Sequence, residues 1–537
     1  MGGAEEDVGI FEYVSPTTGG IGGELKVLPS DFCVNELDSR GREVRHHPSP
    51  LARRRGSPDG APLDTPTLLR FVLTKERMDT LGAVGELAAL LGLPSRAFGV
   101  AGLKDYYAIT SQRMSVHGAA AAALAAVRHP LLRVSRVRPA RRPIRLGQLG
   151  GNRFRIRIRR AAGGGGGRRQ IDESLGALAS RGFVNYYGLQ RFGDCAARND
   201  AVGRCLLLAD YAGAVDALLH SHGNEASAAE REARDVWRHT ADARVAGRLM
   251  PRNRPLEREL LKGLARQAHA ALPGVAAGRT PALRPPRSCA QPAGHVSADG
   301  STATTPSYEE RCRSAVLGLP LSVRRLLAHS YFSKVWNIVA SERLRRHGLA
   351  PAQEGELVLP PGADNECGSP FSRRSAVHVV TAHEASVGAY DCSAVVLPLP
   401  GADVIFPSCE VGRLFCQMLG HDGVEPAEPC IERSASRCDD ENWLVLQGDY
   451  RRLIIRPSNL SWEVVPSTEI GHEQSDDLSG SHRVFPTPER DVAPEQSLLD
   501  VLVRFDLPPG AYATMGLREV MKLRPPPSHL GHIRFEE

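Results

Sequence analysis

Residues 151–160 read GNRFRIRIRR, an unbroken alternation that places Phe154, Ile156 and Ile158 on one side of an extended chain and Arg153, Arg155, Arg157 and Arg159 on the other. A period of two marks a strand with one face packed and one face open. The open face is then a row of guanidiniums. Outward from this strand, AAGGGGGRR (161–169) reads as a flexible insertion and QIDESLGALASRG (170–182) as a helix. Upstream, DTLGAVGELAALLG (79–92) spaces Leu81, Val84, Leu87, Ala88 and Leu91 as one helical stripe, with Asp79 as N-cap and Gly92 beyond the end. A second amphipathic helix is predicted over 322–346, carrying Leu327, Tyr331, Val335 and Ile338 and stopping at Gly348. VVLPLPG (395–401) and RRLIIRP (451–457) read as short buried strands ending in proline turns. Helices and strands mix without regular alternation, which predicts an α+β fold rather than a doubly wound one.

The chain has 537 residues, 42% hydrophobic and 24% charged, enough for two or more globular domains. No apolar run reaches the ~18 residues of a membrane span. The opening MGGAEEDVGI lacks the layout of a secretory signal or transit peptide, and Glu6 breaks a myristoylation motif. The expectation is a soluble intracellular protein, with nucleus, cytoplasm and organelle all compatible. Eleven cysteines, never spaced CxxC, suit a reducing compartment, and no HExxH or Cys/His cluster suggests a metal. Segments 41–66, 272–307, 427–441 and 467–495 read as a surface loop, a disordered tract and two polar insertions.

Of 67 basic residues 61 are arginine and only six are lysine, a skew that composition alone explains. Clustering is another matter: Arg128 to Arg160 holds 12 arginines and no acid. Uncompensated guanidiniums repel one another unless a polyanion neutralises them, so this stretch is a candidate nucleic-acid footprint. The candidate chemistry lies in FGVAGLKDYYAITSQRMSV (98–116), a strand, a turn and a second strand, with Asp105 where the turn re-enters the sheet beside Lys104. Such a carboxylate suits a nucleophile, a base or a ligand, and equally a turn cap. Asn152 and Phe154 share one side of their strand, where an amide and an aromatic suit a nucleobase, or Phe154 is plain core. NYYGLQRFG (185–193) sets aromatics beside Arg191, which suits single-stranded RNA or a domain junction.

Taken in order, LPSDFCVNEL (28–37), AGLKDYYAITSQ (101–112), RLGQLGGNRFRIRIR (145–159), GFVNYYGLQRFG (182–193), SKVWNIVASERL (333–344), LIIRPSNLSW (453–462) and FDLPPGAYATMGLREV (505–520) resemble the motifs of the TruD family of RNA pseudouridine synthases. VVLPLPGADVIFPS (395–408) and the long insertions resemble its eukaryotic, Pus7-like branch. The resemblance implies a catalytic domain with a mixed, mainly antiparallel sheet, interrupted by an inserted α/β domain called TRUD. The implied limits are 1–183 and 444–537 for the catalytic halves and 184–443 for the insertion, with the RNA held in a cleft between the domains. It implies isomerisation of uridine to pseudouridine without metal or other cofactor. The implied substrate is transfer RNA of the uridine 13 type, with messenger or small nuclear RNA as further candidates.

Residue by residue, Asp105 matches the catalytic aspartate, which attacks the sugar C1′ or takes the 2′ proton. Phe154 matches the aromatic that stacks on the flipped uracil, and Asn152 the amide of the same motif. Lys26 matches a basic residue that stabilises the carboxylate's charge, and Phe32 and Glu36 match a pattern that shapes the pocket floor, with plain core packing the alternative for Phe32. Lys104, Arg153, Arg155, Arg157 and Arg191 are the expected RNA contacts. The chain departs from the family after the Lys-Asp pair, where Tyr106 and Tyr107 replace basic residues; Thr110 and Gln112 are intact. A monomer is expected. The competing expectation is a silent RNA-binding protein or chaperone using the same cleft. A metal-dependent nuclease would need clustered carboxylates that the sequence lacks.

Overall fold

A computed structural model describes residues 5–46, 68–161, 167–193, 198–221, 225, 227–270, 306–360, 376–401, 404–424, 446–467 and 498–522. Most of the glycine run, loop, tract and insertions named above lies outside these residues. The chain divides into two compact units. A sheet unit takes Glu12–Asn185 and Ile454–Glu537; a helical unit takes Met1–Phe11, Tyr186–Pro361 and Arg373–Leu453. The switch points fall at Asn185/Tyr186 and Leu453/Ile454, where the sequence reading sets 183/184 and 443/444.

The sheet unit is built on strands β1 (Phe32–Leu37), β2 (Leu68–Glu76), β3 (Phe98–Val100), β4 (Ile109–His117), β5 (Leu132–Pro139) and β6 (Gly151–Ala161), joined by two strands from the far end of the chain. After the short pair β7 (Phe183–Val184) and, in the helical unit, β8 (Leu357–Val358), β9 (His378–Val379), β10 (Val395–Leu399) and β11 (Asp449–Arg452), the chain returns through β12 (Ile454–Ile455) to β13 (Ser458–Pro466) and β14 (Leu499–Leu507). The main sheet runs β13-β14-β6-β1-β4-β2-β5, with β3 beside β4. Among the described pairings of this sheet, β1 with β4 alone is parallel. The fold is therefore α+β with a mixed, mainly antiparallel sheet.

The decisive strand behaves as its alternation predicts, with Phe154, Ile156 and Ile158 buried. Two glycines let it dock. A Cβ on Gly150 would lie 2.2 Å from the Asp38 carbonyl oxygen, and one on Gly151 (φ +145°) would lie 2.4 Å from that of Leu507. The opposite face differs from expectation. Arg153 donates to both carboxylate oxygens of Asp506 at 2.6 and 2.7 Å, Arg155 and Arg153 share Glu43, and Arg157 pairs with Asp500 at 2.8 Å. Arg159, at a bulge that gives β6 one extra residue against β14, forms a buried bidentate pair with Asp31 at 2.8 Å. The row is compensated, not bare. Its acids come mainly from segments up to 353 residues away, beyond the reach of any local window of sequence.

The 80–91 helix packs on β2 and β4, where Ala83, Val84 and Leu87 meet Phe71, Leu73, Met114 and Val116. Asp79 caps it by accepting from Gly82 N at 2.6 Å, and Gly92 closes it at φ +64°. Its inward stripe runs through Thr80, Ala83, Val84, Leu87 and Ala88, so Leu81, predicted inside, is 66% exposed. A small polar residue, Thr80, takes that place.

The helical unit is centred on the 321–347 helix. Leu327 of that helix joins Leu206, Val215, Leu218, Leu260, Leu261 and Val316 in one core, and Arg343 forms a fully buried pair with Glu356 at 2.9 Å. Its strands run β11-β10-β8-β9, all antiparallel.

Candidate active site

Asp105 lies on the turn between β3 and β4, which is held at three points. Beneath it Lys75 of β2, with no solvent exposure, donates to the carbonyls of Asp105 at 2.8 Å and Met78 at 2.5 Å, and reaches that of Lys104 at 3.4 Å. At the helix start, Thr80 Oγ1 accepts from Lys104 N at 2.9 Å and donates to Gln112 Oε1 at 3.1 Å. Gln112 Nε2 in turn donates to the Gly102 carbonyl at 3.3 Å. Here is the reason for Thr80 on the inward stripe: the position holds the turn rather than filling the core.

What the turn presents is the Asp105 carboxylate. Its Oδ2 accepts from Lys26 Nζ at 2.9 Å, and the two side chains are 27% and 22% exposed. Lys26 stands at φ +55°, a left-handed conformation that costs a lysine roughly 1 kcal/mol and concentrates at functional sites. Its ammonium lies 4.3 Å from the centre of the Phe32 ring. Phe32 meets Phe154 edge-on at 6.2 Å, and Phe154 stacks on Phe505 at 5.4 Å. Phe32 and Phe154 are 1% and 6% exposed. Asp105, Lys26, Phe32 and Phe154 thus form one run of contacts, the aromatics buried and the charges open.

Below this run lies a buried charged layer. Lys104 turns inward to Glu36 at 4.0 Å, and Glu36 takes a 2.8 Å hydrogen bond from Arg113 Nε. Burial pushes the Glu36 carboxyl up while the two cations pull it down, and burial pushes Lys104 down. Burial also lowers the Lys75 ammonium to about 8, against the pull of Asp105 and Asp79. Asn152 faces Glu36 across β1 and β6, and its Oδ1 is buried without a hydrogen-bond partner among the described residues.

Several expected RNA contacts stand elsewhere. Lys104 is 7% exposed and directed inward, because the buried Glu36 carboxylate needs a cation. Arg153 and Arg157 keep 16% and 20% of their side chains exposed and are tied to carboxylates, while Arg155 keeps 34%. Arg191 belongs to the helical unit, against Ser333 Oγ at 3.4 Å and the Tyr187 ring at 5.8 Å. Tyr107 donates to the Val27 carbonyl at 3.2 Å, and Tyr106 is 60% exposed. Lys75 was not among the sequence-predicted residues. Only the structure brings it out, by converging three of the six lysines (Lys26, Lys75 and Lys104) on one turn of an arginine-rich chain.

Fold and site define an α+β protein whose mixed sheet presents one open carboxylate beside a lysine and a buried aromatic cluster. Residues 7–520 match the family model described as tRNA pseudouridine synthase D (TruD), and the chain belongs to that family. It is 30% identical over 459 residues to the pseudouridylate synthase 7 homolog of Bos taurus, covering 84% of this chain and 59% of that protein. It is 29% identical over 476 residues to the multisubstrate pseudouridine synthase 7 of Schizosaccharomyces pombe, covering 84% of this chain and 62% of that one. The chain thus spans about three fifths of the length of these relatives. The fold is similar to a crystal structure described as a tRNA pseudouridine synthase D of Methanosarcina mazei, with a TM-score of 0.60, 21% identity, and 97% and 98% of the two chains covered. Among the described residues no helix is long and apolar enough to cross a membrane, and no three His, Cys, Asp or Glu side chains gather as a metal site.

Proposed function

We propose that this chain isomerises uridine to pseudouridine in RNA, with Asp105 acting on the sugar of the target nucleotide. The reaction breaks the bond between N1 and C1′, turns the uracil, and joins C5 to C1′; C5 gives up a proton and N1 gains one, so nothing is consumed. The observation that carries the reading is the Asp105 carboxylate, open to solvent, bonded to Lys26 at 2.9 Å and held on a turn fixed from below. A carboxylate so held serves as nucleophile at C1′ or as base at the 2′ position. Lys26 donates to that carboxylate at 2.9 Å, and Asn152 lies on the same sheet face as Phe154.

Phe154 is proposed to receive the uracil, which requires uncovering a ring that is 6% exposed here. RNA contacts are proposed for Arg191 and Arg155; a contact from Arg153 or Arg157 must compete with its carboxylate. Transfer RNA is the proposed substrate, in keeping with the family's description, with a uridine of the position 13 type as the proposed target and messenger and small nuclear RNA as wider candidates. The working unit is proposed to be a monomer without metal or cofactor.

The test is incubation of wild type and Asp105→Asn with unmodified transfer RNA, followed by pseudouridine detection and RNA affinity. Wild type forms product; Asp105→Asn forms none and binds RNA within about three-fold, since one neutralised carboxylate hardly alters phosphate contacts. Binding without product in wild type would establish the silent RNA-binding alternative.

A further inference from the structure

Lysine is scarce in this chain, 6 residues against 61 arginines, yet a lysine stands at position 75 with no exposed surface. Its environment shows why arginine would not serve. Three carbonyl oxygens, of Asp105, Met78 and Lys104, surround Nζ at 2.8, 2.5 and 3.4 Å. A compact ammonium with three donors fits such a nest, whereas a planar guanidinium is longer and sends its donors outward in a fork. Two of those carbonyls belong to the Lys104–Asp105 turn, and the third to the segment leading into the 80–91 helix. From this geometry we infer that Lys75 is a positioning residue for the reaction: by binding the main-chain carbonyls of Asp105 and Met78 it locks the turn that aims the Asp105 carboxylate.

The inference rests on the reading of Asp105 as the reacting carboxylate and goes beyond it, because Lys75 lies under the turn and acts through its backbone. The groups that face Lys75 are Asp105 and Lys104 on the turn and Asp79 at the helix start; its neighbours across β4 and β5, Thr110 and Leu132, carry no charge. Losing the proton leaves two donors and a lone pair against three carbonyls, so one carbonyl is repelled and the turn loosens. Burial brings that loss down to about pH 8. The sign is fixed: below pH 8 the turn is locked, and the rate falls as pH rises through that value.

Full-length wild type, Lys75→Met, Lys75→Arg and Asp105→Asn are assayed in single turnover on unmodified transfer RNA across neutral and alkaline pH, with RNA affinity measured in parallel. Near-wild-type product from Asp105→Asn removes the reading of Asp105, whatever Lys75 does. With Asp105→Asn inactive, Lys75→Met is expected to lose about 100-fold in rate, the scale of a small misplacement of a reacting group, with RNA affinity within about three-fold. The wild-type rate falls above about pH 8, and Lys75→Arg, which keeps its protons, holds its reduced rate to higher pH. A folded Lys75→Met that reacts within about five-fold of wild type overturns the inference. Should that variant not fold, coincident pH profiles of wild type and Lys75→Arg overturn it, as does a wild-type rate that stays flat well past pH 8.

Discussion

Glu36 has no exposed surface and holds two cations at once, Arg113 at 2.8 Å and Lys104 at 4.0 Å. A buried carboxylate of this kind is costly to hold ionised, and burial does push it up. Removing it costs more, because Lys104 would then be a buried charge without a partner. Glu36→Ala is therefore expected to destabilise the protein by about 3–5 kcal/mol in urea unfolding. Glu36→Gln keeps an acceptor for Arg113 and should lose less. An alanine variant within about 1 kcal/mol of wild type would mean that Lys104 finds another acceptor. At this scale the sequence names the residues proposed for the site, the buried Glu36 and Lys104 among them, and is silent about Lys75 beneath the turn. Asp105 and Lys26 are named by the family resemblance of the ordered motifs, not by any local signal strong enough alone. Lys75 sits in LLRFVLTKE (68–76), where a lysine near a strand end reads as solvated; its burial depends on a turn 30 residues later.

The strand at 151–161 shows what a period of two settles and what it leaves open. Alternation separates inside from outside, since one face must leave water. It says nothing of what the outer face meets, because strand neighbours are chosen by topology. Here β14 brings Asp500 and Asp506 beside Arg157 and Arg153, and the segment after β1 brings Glu43. The arginines therefore divide by role. Arg157, bonded to a fully buried carboxylate, belongs to the sheet, whereas Arg155 is the most open of Arg153, Arg155 and Arg157. Arg155→Gln is expected to lower the slope of log affinity against log salt for RNA by about one, the release of a single counterion. Arg157→Gln should leave that slope unchanged and lower the melting temperature instead. Equal slopes for wild type and Arg155→Gln would mean that Arg155 does not reach the phosphates.

At the scale of the molecule, the sheet unit is closed by residues from both ends of the chain. The irregular mixing of helices and strands made the α+β class legible, and the ordered motifs implied the return of a C-terminal segment to the first sheet. The hydrogen bonds that complete the return were not legible, for they join residues some 500 positions apart. Glu519, on the 513–521 helix, accepts from the backbone N–H of Val14 at 3.0 Å and of Ser15 at 2.8 Å. It is 5% exposed, and burial pushes its carboxyl up while those two donors pull it down. Glu519→Ala leaves both donors buried without an acceptor, a loss of about 3 kcal/mol that urea unfolding would register. Glu519→Gln keeps one amide oxygen and should lose about half as much. Residues 12–20 also sit against the same helix through Arg518 and Lys522, which bind the carbonyls of Glu12, Ser15 and Thr18. Hydrogen exchange at Val14 and Ser15 should therefore accelerate in Glu519→Ala ahead of exchange in β2 and β4, which pair with each other and pack beneath the 80–91 helix. Simultaneous acceleration throughout the sheet would mean instead that the two ends of the chain and the central strands open as one unit.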